Sequence, residues 1–284
     1  MIPTYPPNPT PPSQPPPMPS PLSLAPADFS QPAASRIHDR LLGGKENYPA
    51  DRTLVARILQ LNRLASSAAH AHLRHREQVV DYLAERGFRQ FLEIGCGYPH
   101  QPYVHEIAQE YGPVRVVYVD HDEVVVAHAA ALMTAKAPSR TAHVHADFAA
   151  GNLLADARVR RVFDPREPIA VLLHQVLHLI PGPLFPLIDN LKRALPVGSA
   201  LSITHPTGDF HPRHVRAAWE CTQAGVPVHL RSGGEVRNLT RGWELVEGGM
   251  VPTTCWPGRS PTKQDRLASA AHAIVAIKTS EDAA

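Results

Sequence analysis

The sequence predicts an α/β fold in which a seven-stranded, mostly parallel sheet carries helices on both faces, behind an N-terminal helical extension. Three observations predict it: five apolar runs alternate with helix-period segments, a glycine turn follows the first run, and two further strand-like runs close the chain without a long helix between them. Helical spacing begins with Leu54, Ile58, Leu61 and Ala65 in residues 51–65, and resumes with Leu73, Val79, Val80 and Leu83 in 70–86. Strand candidates follow at 90–94, 115–119, 142–146, 169–173 and 200–204. Such alternation implies right-handed crossovers and a parallel sheet covered on both faces. Trp243 to Val246 and His272 to Ile277 read as the last two strands, and a hairpin fits there.

The chemistry sits at the end of the first strand. In Phe91-Leu92-Glu93-Ile94-Gly95-Cys96-Gly97 the glycines permit a tight turn and close approach of backbone to a ligand. Val116-Val117-Tyr118-Val119-Asp120 then ends in a carboxylate about 20 to 25 residues after that turn, placed to accept hydrogen bonds from the two hydroxyls of a ribose. Glu93 decides between two nucleoside ligands. It would repel a pyrophosphate, whereas it attracts the ammonium of a methionine moiety directly or through water. Position 99, where a third dinucleotide glycine would stand, is proline. The pattern favours S-adenosylmethionine over NAD, with a bare strand-to-helix turn as the bland alternative.

Composition bounds the rest. The first 32 of 284 residues contain 13 of the 30 prolines, so residues 1–32 read as a disordered Pro-rich tail. Residues 33–88 then form a helical lid or extension, and 89–284 the cofactor-binding domain. The tail lacks a signal peptide's basic and apolar regions, and no segment approaches the roughly 18 apolar residues of a membrane span, so a cytoplasmic protein without a membrane partner is expected. Cys96, Cys221 and Cys255 are scattered, which fits a reducing compartment. A net charge of +2, without interleaved aromatics, gives no case for nucleic acid. The 17 histidines, including His70-Ala71-His72, show no zinc signature, and no metal is expected. The oligomeric state stays open, a homodimer included.

A longer pattern carries a family resemblance. Arg36-Ile37-His38-Asp39-Arg40-Leu41-Leu42-Gly43-Gly44-Lys45-Glu46-Asn47-Tyr48, continued by Asp51, resembles the opening motif of an actinobacterial S-adenosylmethionine-dependent methyltransferase family long catalogued as a domain of unknown function. Arg89 to Pro99 resembles its glycine turn, Val104-His105-Glu106 the start of its next helix, and Val116 to Asp122 its second strand. The similarity covers residues 33–278. Glu93 replaces the usual Asp, His100 the more frequent Thr, and His121 the more usual Asn. The resemblance implies a class I, Rossmann-like methyltransferase fold with an antiparallel strand at one sheet edge.

Further site residues follow from strand ends, where ligands gather in open α/β sheets. Asp147 and Phe148, after the third strand, are placed for the adenine amine and ring, or else form a helix cap and a core Phe. His174 and His178 follow the fourth strand and His205 stands at the fifth. His178 and His205 match histidines of the family and are candidate shapers of the acceptor site. Either could accept a proton, or simply pack against the cofactor. Gly43-Gly44 with Lys45, Asn47 and Tyr48 reads as a lid that brings Asp39, Lys45 or Tyr48 to cofactor or acceptor, or as a helix terminus. Arg76 faces the methionine carboxylate in this reading. The function expected is methyl transfer to a small-molecule acceptor. A non-catalytic S-adenosylmethionine or S-adenosylhomocysteine sensor or scaffold and an NAD-dependent oxidoreductase are the alternatives.

Overall fold

Three N-terminal helices precede the sheet, α1 (Ala34–Leu41), α2 (Pro49–Leu61) and α3 (Ala65–Glu85), and α3 packs against it. The computed structural model describes residues 28–280, so most of the expected Pro-rich tail lies outside the described residues. Phe29, within the stretch expected to be tail, stacks on Tyr48 with ring centroids 4.2 Å apart. The sequence pattern shows two of the helices. The third, α1, has eight residues, too few for a period to register.

In chain order there follow β1 (Gln90–Ile94), α4 (Val104–Ala108), β2 (Arg115–Asp120), α5 (Glu123–Leu132), β3 (Arg140–His145), α6 (Ala157–Arg160) and β4 (Ala170–His174). The chain continues through α7 (Phe185–Ala194), β5 (Ala200–Pro206), α8 (Pro212–Gln223), α9 (Gly233–Asn238), β6 (Glu244–Leu245), β7 (Val251–Pro252), α10 (Lys263–Ser269) and β8 (Ala271–Ile277). The sheet order is β3-β2-β1-β4-β5-β8-β6, with β7 also paired to β8. Strands β1 to β5 are parallel, and β8 runs antiparallel to β5 and β6. The seven expected strands are therefore present. The last two do not form a tight hairpin, because β7 and α10 occupy the chain between them.

Strand alternation gives the sheet two apolar faces. Leu92, Ile94, Val117, Val119, Val171 and Leu173 join Ile188 and Leu191 of α7 and Val236 of α9. Phe91, Val116, Tyr118 and Leu172 join Val79, Val80 and Leu83 of α3 and Val125 of α5 on the other face. Each such side chain contributes about 1.5 to 3 kcal/mol by leaving water, which holds the crossovers in place. Ile37, Leu54, Val55 and Ile58 pack with Val226, beyond α8, and so hold α1 and α2 to the 221–228 segment. No helix among the described residues is long and apolar enough to cross a membrane.

The N-terminal motif is largely its own scaffold. Asp51, fully buried, accepts from the Arg36 guanidinium at 2.9 Å, from Ala33 N–H at 3.0 Å and from Tyr48 N–H at 2.8 Å, which caps α2 and ties it to α1. The Asn47 amide donates to Asp39 and to the Gly44 carbonyl, both at 2.9 Å. Gly43, at φ +82°, ends α1 in the left-handed turn of a helix terminus. Gly44 is needed for space: a Cβ there would lie 1.9 Å from Asp39 Oδ1. Gly44→Val should therefore push Asp39 off Asn47 and cost about 2 kcal/mol of stability. An unchanged melting temperature would contradict that packing argument.

Candidate active site

The order of the strands reverses between β1 and β4, so the loops after them diverge to opposite faces and leave a crevice beyond their carboxyl ends. Gly95 follows β1 at φ +72°, where a Cβ would come within 2.8 Å of Val176 after β4. Only glycine lets these two loops close on each other there. A cavity of about 220 Å³ opens at this point, lined by Glu93, Gly95, Gly97, Asp120 and His121 from the first two strand ends and by His174 and His178 from the fourth. A second, also about 220 Å³, shares Gly95, Asp120, His121 and Val176 with it and runs on to Asp147 and Phe148.

Glu93 lies on the same strand face as Phe91, which turns it toward α3 and Arg76. Arg76 Nη1 stands 3.7 Å from Glu93 Oε1, and Nη2 donates to the carbonyls of His100 and Pro102 at 2.7 and 2.9 Å. Burial pushes the Glu93 carboxyl upward, and the Arg76 charge opposes that shift. One atom on each side is left over: buried Glu93 Oε2 and Arg76 Nε have no hydrogen-bond partner among the described residues. An unmet acceptor beside an unmet cationic donor fits the ammonium and carboxylate of an amino acid.

Asp120 ends β2 and accepts from Gly97 N–H at 3.0 Å and Asp122 N–H at 3.0 Å. Burial raises its pKa, but His121 and these two N–H groups outweigh that and hold the carboxyl below its usual range. His121 Nδ1 lies 3.4 Å from Asp120, whose hydrogen bond raises the imidazole pKa. Asp147 performs its alternative role as a cap, accepting from Ala149 N–H at 2.8 Å, while Phe148 is buried in the core and presents part of itself to the second cavity.

A family profile described as S-adenosyl methyltransferase matches residues 23–279. The chain belongs to this S-adenosyl methyltransferase family. It is an S-adenosylmethionine-dependent methyltransferase, with S-adenosylmethionine as its cofactor, which sets aside the dinucleotide and the non-catalytic readings. A DUF574 family protein from Streptomyces avermitilis MA-4680 is similar at 32% identity over 88% of this chain and 99% of its own, with a TM-score of 0.82. A candidate methyltransferase from Thermobifida fusca YX is similar at 32% identity over 89% and 97%, also with a TM-score of 0.82. No curated protein matches.

Within this methyltransferase three expected site residues lie elsewhere. Lys45 is exposed, Tyr48 stacks on Phe29, and neither lines either cavity, because the polar groups of their motif bind one another. The end of α1 stands over the crevice instead, presenting Ile37, His38 and Leu41. His205 is fully buried outside both cavities, with Nδ1 bonded to the Pro206 carbonyl at 2.7 Å and Nε2 3.1 Å from the Arg231 guanidinium. It is a pillar beneath the site. His174 is likewise anchored, by Ser202 Oγ at 2.8 Å, though its ring reaches the cavity wall.

Three lining residues are not among the site residues expected from the sequence. Gln175, directly after β4, holds φ +56°, an uncommon backbone state for a non-glycine residue that recurs at ligand sites. Its amide lies 3.3 Å from His72 Nδ1. His72 precedes Arg76 by one helical turn on α3, a spacing that was available to find it. His38 belongs to α1, whose helix the periodicity did not resolve. Among the described residues no group of three or more His, Cys, Asp or Glu could hold a metal ion.

Proposed function

We propose that the enzyme methylates a small molecule, with adenine beside Asp147 and Phe148, ribose at Asp120, and the methionine end between Arg76 and Glu93. The observation that supports a small acceptor is the confinement of the first cavity: about 220 Å³, walled by α1 on one side and by Cys221, Val226 and Val228 on the other. A folded protein or a duplex would have to part the apolar cluster of Ile37, Leu54, Val55, Ile58 and Val226 to enter. Held there, S-adenosylmethionine would supply an electrophilic methyl group to an acceptor lone pair, the C–S bonding pair staying on sulfur and the acceptor's proton going to solvent.

The chain's own groups position the partners and exclude water. Asp120, ionised and fixed by two backbone N–H groups, is ready to accept from hydroxyls. His178, with Nδ1 buried and unpaired among the described residues, is driven by burial to a pKa of about 3 and so stays neutral. It serves as a hydrogen-bond acceptor for the incoming nucleophile, and proximity supplies the larger part of the rate. Incubation of the enzyme with methyl-labelled S-adenosylmethionine and cell extract should place label in the small-molecule fraction. Label recovered only in protein or nucleic acid would overturn the assignment.

A further inference from the structure

The charged side chains that line the first cavity, Arg76, Glu93, Asp120 and His121, come from α3 and the first two strand ends, where the methyl donor is assigned. The rest of the lining includes Ile37 and Leu41 of α1, Leu179 after β4, and Val226 and Val228 after α8, with no lysine, arginine, aspartate or glutamate. Beside Ser35, His174 and Cys221, its polar side chains are His38, His72, His178 and Gln175. His72 and Gln175 are 3.3 Å apart and engage each other, whereas His38 Nε2 and His178 Nδ1 are buried with no partner among the described residues.

We infer that the acceptor is a neutral, predominantly apolar molecule bearing an O–H or N–H group that hydrogen-bonds to the unpaired imidazole nitrogens between α1 and the 221–228 segment. The inference rests on the methyl-donor assignment above, because that assignment decides which part of the lining remains for the acceptor. An apolar body replaces water against Ile37, Leu41, Val226 and Val228 and gains by its own desolvation. A carboxylate, phosphate or ammonium carried into the same space would lose its hydration, while the charged lining residues are engaged by the methyl donor. The imidazoles do not supply that charge, since burial holds His38 near pKa 4 and His178 near 3. One protic group is different. It meets a nitrogen that otherwise stays buried and unbonded, so the site selects for a single O–H or N–H among apolar atoms.

Three probes of one shape test this by calorimetry at neutral pH: 2-naphthol, 2-naphthoate and 2-naphthylmethylammonium, each titrated into the full chain already saturated with S-adenosylhomocysteine. Naphthol should bind at least about tenfold more tightly than either charged probe. Val228→Lys, which sets a cation in the apolar wall, should reverse the order of naphthol and naphthoate. If that variant does not fold, the wild-type comparison still decides. Equal or tighter binding of a charged probe, or binding of none of the three, overturns the inference while the cofactor assignment stands. Failure of S-adenosylhomocysteine itself to bind overturns that assignment and the inference with it.

Discussion

Replacing Arg76 with alanine is expected to cost about 3 to 5 kcal/mol of folding stability, because it strands a buried carboxylate without its cation. Glu93 is 3% exposed, and Arg76 is its ion-pair partner at 3.7 Å. The same change removes the donors to the His100 and Pro102 carbonyls, which hold the loop after the glycine turn. Chemical denaturation of the single variant and of Arg76→Ala/Glu93→Gln separates the two effects. The double variant should recover part of the loss, since a neutral amide is cheaper to bury than an unpaired charge. A single variant as stable as wild type would show that Glu93 does not depend on Arg76.

Acid should destabilise the fold well above the pH at which carboxylates titrate. His75 and His205 are fully buried and His72 nearly so. Burial lowers the pKa of His75 to about 3 and of His205 to about 4, and that of His72 well below the ordinary 6.5. Unfolded chain takes up these protons near 6.5 and folded chain does not, so stability is complete above that pH and falls as pH drops toward 3 to 4. Each histidine contributes about 1.4 kcal/mol per pH unit inside the window, so these three cost about 4 kcal/mol one unit below its upper edge. That is a large share of a typical domain's 5 to 15 kcal/mol. Urea midpoints measured across the window should fall steadily. His75→Phe, which replaces a ring with no hydrogen-bond partner among the described residues at either nitrogen, should flatten the slope. A midpoint independent of pH across the window would contradict the burial argument.

The sequence made the sheet and one wall of the site legible because both follow from local repetition. A period of two in β1 and β2 fixes which side chains face α3, so Glu93 and Asp120 could be placed at adjoining strand ends before any contact was known. What stayed hidden depends on partners far along the chain. His178 and His205 look alike as strand-end histidines, yet Arg231, 26 residues beyond His205, captures the latter's ring and leaves His178 at the cavity. Lys45 and Tyr48 belong to a motif whose density of polar groups suggested a ligand. Asp39 with Asn47, and Arg36 with Asp51, satisfy that density internally. Two elements, α1 and the two-residue β7, are simply too short to show a period.

The most direct measurement is calorimetric titration of S-adenosylhomocysteine into wild type and into Asp120→Ala. Asp120 stands where the two cavities meet, and its carboxylate is the group assigned to the ribose. Wild type should bind, and the variant should bind about 1 to 3 kcal/mol more weakly through loss of charge-assisted hydrogen bonds, with its circular dichroism unchanged. A folded Asp120→Ala protein that binds S-adenosylhomocysteine as tightly as wild type would contradict the placement of the cofactor at these strand ends.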